Sequence, residues 1–268
     1  LKGVQIAFSF PSVGATENVL LAACCAGGTT TITNAAREPE ICDLADFLNC
    51  CGAKISGAGD STIVIEGVKS LHGCEHEVIP DRIAAATYLA ATAATGGSII
   101  LNHVVPEHLA PVLPLFEESG CRFAIHEKEI YMSAPSRLGR IKNVRTMPYP
   151  GFPTDAQAPM MAMAAVANGT SIFVENIFES RYKHVGELLR LGANIKVEGR
   201  VAVVEGVGRL SGAPVEAADL RGGAALVVAG LAAQGETLVS GVRHIDRGYE
   251  CLEENLCLLG AQVKRLPD

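Results

Sequence analysis

Five arginines of this chain stand where electrostatics argues against a cation. Arg37 lies in AAREPEI, just ahead of a helix whose first residue is Pro39. Arg82 follows Asp81 in PDRIAAATYL, Arg181 precedes YKHVGELL, Arg221 falls in DLRGGAALVV and Arg247 in HIDRGYECLEENL. Each segment reads as the start of a helix, the positive end of the dipole, where Asp or Glu is stabilising and Arg is not. Local conflict repeated this way points to function. A bound anion resolves it, because free N–H groups, the dipole and a guanidinium fork together hold a phosphate. Singly, each arginine reads equally well as a solvated helix end or half of a surface ion pair.

Carboxylates occupy the same helix starts: Glu38, Asp81, Asp155, Asp219 and Asp246. Their ordinary role is the N-cap, and Asp81, Asp219 and Asp246 fit it. Asp155 differs. In PYPGFPTDAQAPM the preceding Thr154 is free to cap, which puts Asp155 in the first turn behind a stiff approach of prolines and a glycine. A carboxylate there is held ionised by the dipole and can accept a proton from a bound hydroxyl within hydrogen-bond reach.

The elements that carry these residues recur. One unit occurs four times: small-residue helix, glycine, β-branched strand, second helix, glycine, strand. Its first glycine is Gly27, Gly97, Gly169 and Gly235, spaced 70, 72 and 66 residues apart. Its second is Gly52, Gly120, Gly192 and Gly260, lying 25, 23, 23 and 25 residues after the first. Such phasing means one supersecondary unit stacked on itself. Each glycine is expected to end a helix at positive φ. The first three units are expected to close with a hairpin and a further strand: STIVIEGV then CEHEVIP, EIYMSAP then KNVRTMP, VAVVEGV then APVEAAD. The fourth stops soon after the strand that follows Gly260, and the chain opens on Leu1 within an alternating run, VQIAFSF. A piece of a longer protein is the expectation.

Composition sets limits. At 268 residues and 49% hydrophobic, the chain can bury a sizeable core in one or two domains. With 5% aromatics and no Trp, Ala and Gly must fill many core positions, which suits thin helices packed closely. The net charge of −7 argues against a nucleic-acid partner or a polybasic membrane surface. Apolar runs fall short of a membrane-spanning helix, and the first residues lack a signal-peptide pattern. The nine cysteines show no zinc spacing, and their odd number suits a reducing cytoplasm. They are expected to be small buried hydrophobes.

The strings FPSVGATEN, NAAREPEI, IPDRI, FPTDAQAPMMA, IFESRYKHV, LSGAPVEAADLR and HIDRGYE closely resemble the UDP-N-acetylglucosamine 1-carboxyvinyltransferase family, in order and along the whole chain. The resemblance implies an α/β fold, the inside-out α/β barrel of the enolpyruvyl transferases, here partial. Residues 1–79 then correspond to the last repeat of the sugar-nucleotide domain, and residues 80–268 to most of the second domain. The implied reaction moves the enolpyruvyl group of phosphoenolpyruvate onto the 3-hydroxyl of UDP-N-acetylglucosamine, in the first committed step of peptidoglycan synthesis, in the cytoplasm. It runs by addition and elimination with no metal or organic cofactor. By resemblance Asp155 is the base near that hydroxyl, and Arg221 and Arg247 hold phosphoenolpyruvate or the leaving phosphate. Ser12, Val13, Gly14 and Ile177 contact the sugar nucleotide, while Glu38, Asp81, Arg181 and Asp219 line the substrate cleft.

The chain departs from the family in two places. Phe10 and Pro11 stand where many relatives carry a lysine, and the family's general-acid cysteine lies N-terminal to everything present. These residues alone are therefore expected not to turn over, to need the missing N-terminal part, and to self-associate through the incomplete fourth unit. Two alternatives remain: a sister transferase acting on shikimate 3-phosphate, and a non-catalytic fragment that only binds ligand.

Overall fold

The computed structural model describes residues 1–266. The chain forms two compact units, Leu1–Pro80 with Pro148–Gly151, and Asp81–Met147 with the chain from Phe152 onward. The inclusion of Pro148–Gly151 in the first unit goes beyond a single boundary near residue 80.

The first unit runs β1 (Gln5–Ala7), α1 (Val13–Ala23), β2 (Thr29–Thr33), α2 (Pro39–Cys50), β3 (Lys54–Ser56) and β4 (Thr62–Glu66). Its sheet has the order β1-β2-β4-β3, with β1 parallel to β2 and the other pairs antiparallel. Strand alternation turns Ile32, Ile63 and Ile65 inward, where they meet Leu20 of α1 and Ile41, Ala45 and Leu48 of α2. Pro39 opens α2, where its fixed φ suits the first helical turn.

The second unit contains three repeats. The first is α3 (Arg82–Thr95), β5 (Ser98–Asn102), α4 (Pro106–Leu109), α5 (Leu113–Glu118), β6 (Arg122–His126), β7 (Glu129–Ser133) and β8 (Asn143–Arg145). The next is α6 (Thr154–Ala164), β9 (Thr170–Val174), α7 (Val185–Arg190), β10 (Asn194–Glu198), β11 (Val201–Glu205), β12 (Leu210–Ser211) and β13 (Pro214–Glu216). The last is α8 (Leu220–Ala232), β14 (Ala233–Gln234), β15 (Leu238–Ser240), α9 (Arg243–Asp246) and α10 (Leu252–Leu258). Helices α3, α6 and α8 pack on one another at the centre. Every residue from Ala156 to Ala164 of α6 is buried, as a helix wrapped on all sides requires. The sheets lie outside these helices, the inside-out arrangement, and form separate sheets among the described residues.

Pairing explains how the repeats stack. The strand closing one repeat runs parallel to a strand of the next: β8 with β9 and β13 with β15. Strand β1 stands in the same relation to β2. The glycine that follows both β4 and β11 also has a steric cause. A Cβ on Gly67 would lie 1.5 Å from the carbonyl oxygen of Ala26, and one on Gly206 1.7 Å from that of Ala167.

Four expectations need correction. CEHEVIP forms no strand, because its backbone and side chains bond to α2 instead: the Ile79 N–H and the His76 ring both reach the Asp43 carboxylate. The segment after Gly260 forms no strand among the described residues. The second glycine of every unit has positive φ, but in two units the first is displaced by one residue, to Gly28 and Gly96. Of the nine cysteines only Cys24, Cys51 and Cys121 are buried, since others fall on the solvent faces of their helices. Among the described residues no helix is long and apolar enough to cross a membrane.

Candidate active site

Asp155 is the second residue of α6, and its position rests on a buried carboxylate. Thr154 does not cap the helix. Its Oγ1 donates instead to Glu175 Oε2 at 2.9 Å, and Pro153 occupies the cap position with no side-chain bond. The other oxygen of Glu175 accepts from Thr146 Oγ1 at 2.9 Å and from the backbone N–H groups of Ile177 and Phe178 at 2.8 and 3.0 Å. A carboxylate only 1% exposed needs such donors to offset lost hydration. Glu175 thus ties the start of α6 to the Ile177–Phe178 turn. Sequence reasoning missed it. The signal was there, since Ser171 and Phe173 point inward from β9 and Glu175, one residue past its end, keeps the same phase.

Two arginines distant in sequence converge on Asp155. Arg181 Nη2 meets Oδ1 at 2.5 Å, and Arg221 Nη2 meets Oδ2 at 3.1 Å. Arg221 is the second residue of α8, just inside the cap that Asp219 makes by accepting from the Gly222 N–H at 2.8 Å. Its Nη1 donates to the Tyr249 hydroxyl at 3.3 Å, and its guanidinium lies 5.6 Å from the centre of that ring. The same hydroxyl is 2.8 Å from Thr87 Oγ1 on α3. Burial opposes the charge of Arg221, yet Asp155 and Tyr249 outweigh it and raise the guanidinium pKa. The anion that Arg181 and Arg221 need is in this structure the protein's own Asp155. The Asp155 side chain keeps 39% of its surface exposed, so a ligand can reach it.

His184, three residues after Arg181, is buried. Burial pushes its pKa down to about 4, with Asp219 opposing the shift and Arg181 adding to it. Its Nε2 has no hydrogen-bond partner among the described residues. The imidazole is therefore neutral, and adds no third positive charge beside the two arginines.

Other expected positions divide. Asp81 caps α3, accepting from the N–H groups of Ile83 and Ala84 at 2.7 and 3.0 Å. Arg181 stands a turn ahead of α7 rather than on its first residues. Arg247 needs correction: it follows the last residue of the one-turn α9, so it meets the negative end of a helix, where a cation is favoured. It is exposed, and its guanidinium bonds to no described residue. Asp246 is no cap either. It ends α9 and pairs with Arg265, whose hydrogen bond, against a small burial effect, lowers its pKa.

In the first unit Ser12 caps α1, its Oγ accepting from the Ala15 N–H at 3.3 Å, and Val13 and Gly14 begin that helix. A Cβ at Gly14 would meet nothing within 4 Å, so the helix start is open. Buried Thr16 donates to the Ser12 carbonyl at 2.8 Å and accepts from the Ala36 N–H at 3.0 Å, binding the starts of α1 and α2 together. Glu38 stands at the head of α2 and accepts from the N–H groups of Arg37 and Tyr149 at 3.0 and 3.3 Å. Among the described residues no His, Cys, Asp and Glu group is placed to hold a metal ion.

The profile of the EPSP synthase (3-phosphoshikimate 1-carboxyvinyltransferase) family matches residues 1–256. The chain is 52% identical over 266 residues to UDP-N-acetylglucosamine 1-carboxyvinyltransferase 2 of Caldanaerobacter subterraneus subsp. tengcongensis, covering 99% of this chain and 64% of that protein. It is 54% identical to UDP-N-acetylglucosamine 1-carboxyvinyltransferase 1 of Symbiobacterium thermophilum, covering 99% of this chain and 60% of that protein. The chain thus spans under two thirds of these curated relatives. Among solved structures, the enolpyruvyl transferase NikO from Streptomyces tendae superposes with a TM-score of 0.87 at 28% identity, over 98% of this chain and 65% of that one. EPSP synthase from Acinetobacter baumannii shares the fold with a TM-score of 0.71 at 21% identity, over 99% of this chain and 64% of that one. From its repeats, its central helices and the residues that the family profile spans, this chain belongs to the EPSP synthase (3-phosphoshikimate 1-carboxyvinyltransferase) family of enolpyruvyl transferases.

Proposed function

We propose that this chain is the part of a UDP-N-acetylglucosamine 1-carboxyvinyltransferase that carries the base and half of the anion clamp. The observation that carries the reading is Asp155, in the first turn of α6 with one oxygen on Arg181 and the other on Arg221. Asp155 takes the proton of the sugar 3-hydroxyl. That oxygen attacks C2 of phosphoenolpyruvate, the methylene carbon gains a proton, and a tetrahedral ketal results. Loss of a proton from that carbon with release of phosphate leaves the enol ether. The positive α8 start and Arg221 hold the phosphate or carboxylate of phosphoenolpyruvate, and exposed Arg247 joins them from α9. An anion that draws Arg181 and Arg221 toward itself frees the Asp155 carboxylate to meet the sugar hydroxyl.

In this reading Ser12, Val13 and Gly14 at the open start of α1, and Glu38 at the head of α2, bind the sugar nucleotide, while Ile177, Asp81 and Asp219 bind substrate in the second unit. The protein works in the cytoplasm in peptidoglycan synthesis, with no cofactor. The proton for the methylene carbon comes from the N-terminal part of the relatives, which this chain does not span, and these residues alone self-associate and do not turn over. Identities of 52–54% to UDP-N-acetylglucosamine enzymes favour this substrate over shikimate 3-phosphate.

The test is phosphate release from phosphoenolpyruvate by a polypeptide joining this chain to the N-terminal part of a relative, in cis or added separately. Release with UDP-N-acetylglucosamine, and none from the 268 residues alone, is expected. Release with shikimate 3-phosphate but not the sugar nucleotide overturns the substrate. Steady turnover by the chain alone overturns the division of labour.

A further inference from the structure

A second site, independent of the first, lies at the C-terminal end of α2. Residues 72–79 run along this helix as a strap without regular structure. The His72 N–H donates to the Cys51 carbonyl at 2.9 Å, and the His72 ring crosses so close to Gly52 that a Cβ there would meet Nε2 at 2.9 Å. The other end of the strap is held by Asp43, which bonds the His76 ring at 2.9 Å and the Ile79 N–H at 3.3 Å. Between these anchors the contacts are sulfur. Cys51 Sγ lies 3.4 Å from Cys74 Sγ, Cys74 Sγ donates to the Phe47 carbonyl at 3.8 Å, and Cys50 Sγ donates to the Glu75 carbonyl at 3.6 Å.

Three thiols from two segments thus meet at one point, with Cys51 and Cys74 3.4 Å apart and Cys50 within reach of Cys74. Cys51 is buried at 7% exposure, Cys74 is half-buried and Cys50 is exposed. This is neither a lone thiol nor a metal cluster, and nothing in the proposed transfer reaction uses it.

We propose that Cys51 and Cys74 are a reversible dithiol–disulfide site that takes a hydroperoxide as oxidant and locks the strap onto α2. The Cys74 thiol is pushed up to about 12, first by its hydrogen bond with Cys50 and then by burial and the bond with Cys51. Cys74 therefore keeps its proton, and Cys51 supplies the attacking sulfur. The Cys51 sulfur forms an S–O bond as the O–O bond of the peroxide breaks and gives up its thiol proton to the departing oxygen, giving a sulfenic acid and, with hydrogen peroxide, water. The Cys74 sulfur then displaces the hydroxyl, which leaves as a second water, and the S–S bond forms. Two thiols are oxidised by two electrons in all and one peroxide is reduced. A dithiol reductant reverses the step by exchange. The bond joins residues 23 apart, so it restrains the whole β3–β4 hairpin between α2 and the strap.

The experiment uses the purified protein, reduced, freed of reductant and treated with hydrogen peroxide. Remaining thiols are then blocked, and the protein is digested with trypsin without reduction. The expected product is a cross-link between the peptide 38–54 and the peptide 70–82, with a loss of two titratable thiols, both undone by dithiothreitol. The first peptide also carries Cys42 and Cys50, so variants assign the bond. The cross-link persists in Cys50→Ser and is lost in both Cys51→Ser and Cys74→Ser. Cys74 is half-buried, so its variant tests the pairing even where serine at Cys51 disturbs α2. Oxidation also slows cleavage of the native protein at Lys69, at the foot of the strap. A cross-link that survives Cys51→Ser, bonds mainly between chains, over-oxidised thiols without a cross-link, or an unchanged rate at Lys69 would each overturn the proposal.

Discussion

Acidifying the protein from pH 7 to pH 5 is expected to destabilise it through one buried ring. The imidazole of His184 titrates near 6.5 in an unfolded chain and at about 4 in place, chiefly because burial excludes water from it. A folded value below the unfolded one means that the unfolded chain takes up a proton that the native state refuses. Stability is therefore complete above pH 7, falls as the pH drops below 6.5, and stops falling below about 4. At 1.36 kcal/mol per pH unit, the loss between pH 7 and pH 5 is about 2 kcal/mol, and the whole linkage is of order 3 kcal/mol. Asp219 and Arg181 act on the ring in opposite senses, so neither removes the effect of burial.

Urea unfolding at pH 7, 6 and 5 measures it, with His184→Asn as the reference. Asparagine keeps a similar shape and the Cβ that stands 3.1 Å from where a Cβ on Gly222 would lie, but it carries no titrating group. With slopes of roughly 1–3 kcal/mol per molar urea, the native protein's midpoint falls by about 1 M over this range, and the variant's falls less. Subtracting the two removes every other titrating group. Parallel pH profiles for the two proteins would sink the reasoning.

In an enzyme completed with the N-terminal part, Asp155→Ala is expected to lower turnover by about 10²–10⁴ while sugar-nucleotide affinity changes less, and near-normal turnover would remove Asp155 as the base. Arg247→Ala is expected to weaken phosphoenolpyruvate far more than the sugar nucleotide, with stability changed by less than about 0.5 kcal/mol because its guanidinium is exposed and bonds to no described residue; equal losses for both ligands, by calorimetry, would count against a phosphate role. Glu175→Gln places an amide N–H₂ among four donors, so a loss of about 1–3 kcal/mol in denaturant unfolding is expected, and unchanged stability would show that the hub is not needed.

What was legible in the sequence was local or repeated. The four phased units announce themselves because a glycine after a helix and an alternating strand are fixed by φ and by the two-residue pleat, whatever surrounds them. Motifs such as FPTDAQ and HIDRGYE are contiguous, so they pointed to the family and to Asp155 without any packing. The capping aspartates Asp81 and Asp219 were legible for the same reason, since a cap bonds within its own first turn.

What the tertiary structure alone decided is who meets whom. Asp155 finds Arg221 at a separation of 66 residues because α6 and α8 pack together and bring their starts to one end, and it finds Arg181, 26 residues away, on the segment ahead of α7. No propensity encodes that. Arg247 reads as a helix start and proves to follow a one-turn helix, since α9 is too short to show a period. Thr154 is a fitting cap by type, yet a buried Glu175 outbids the backbone for its hydroxyl. CEHEVIP alternates like a strand but lies as a strap, held by Asp43 and by sulfurs that adjoin only when α2 is in place. In each case the deciding contact crosses many residues of chain, and its strength depends on burial, which exists only once the helices have packed.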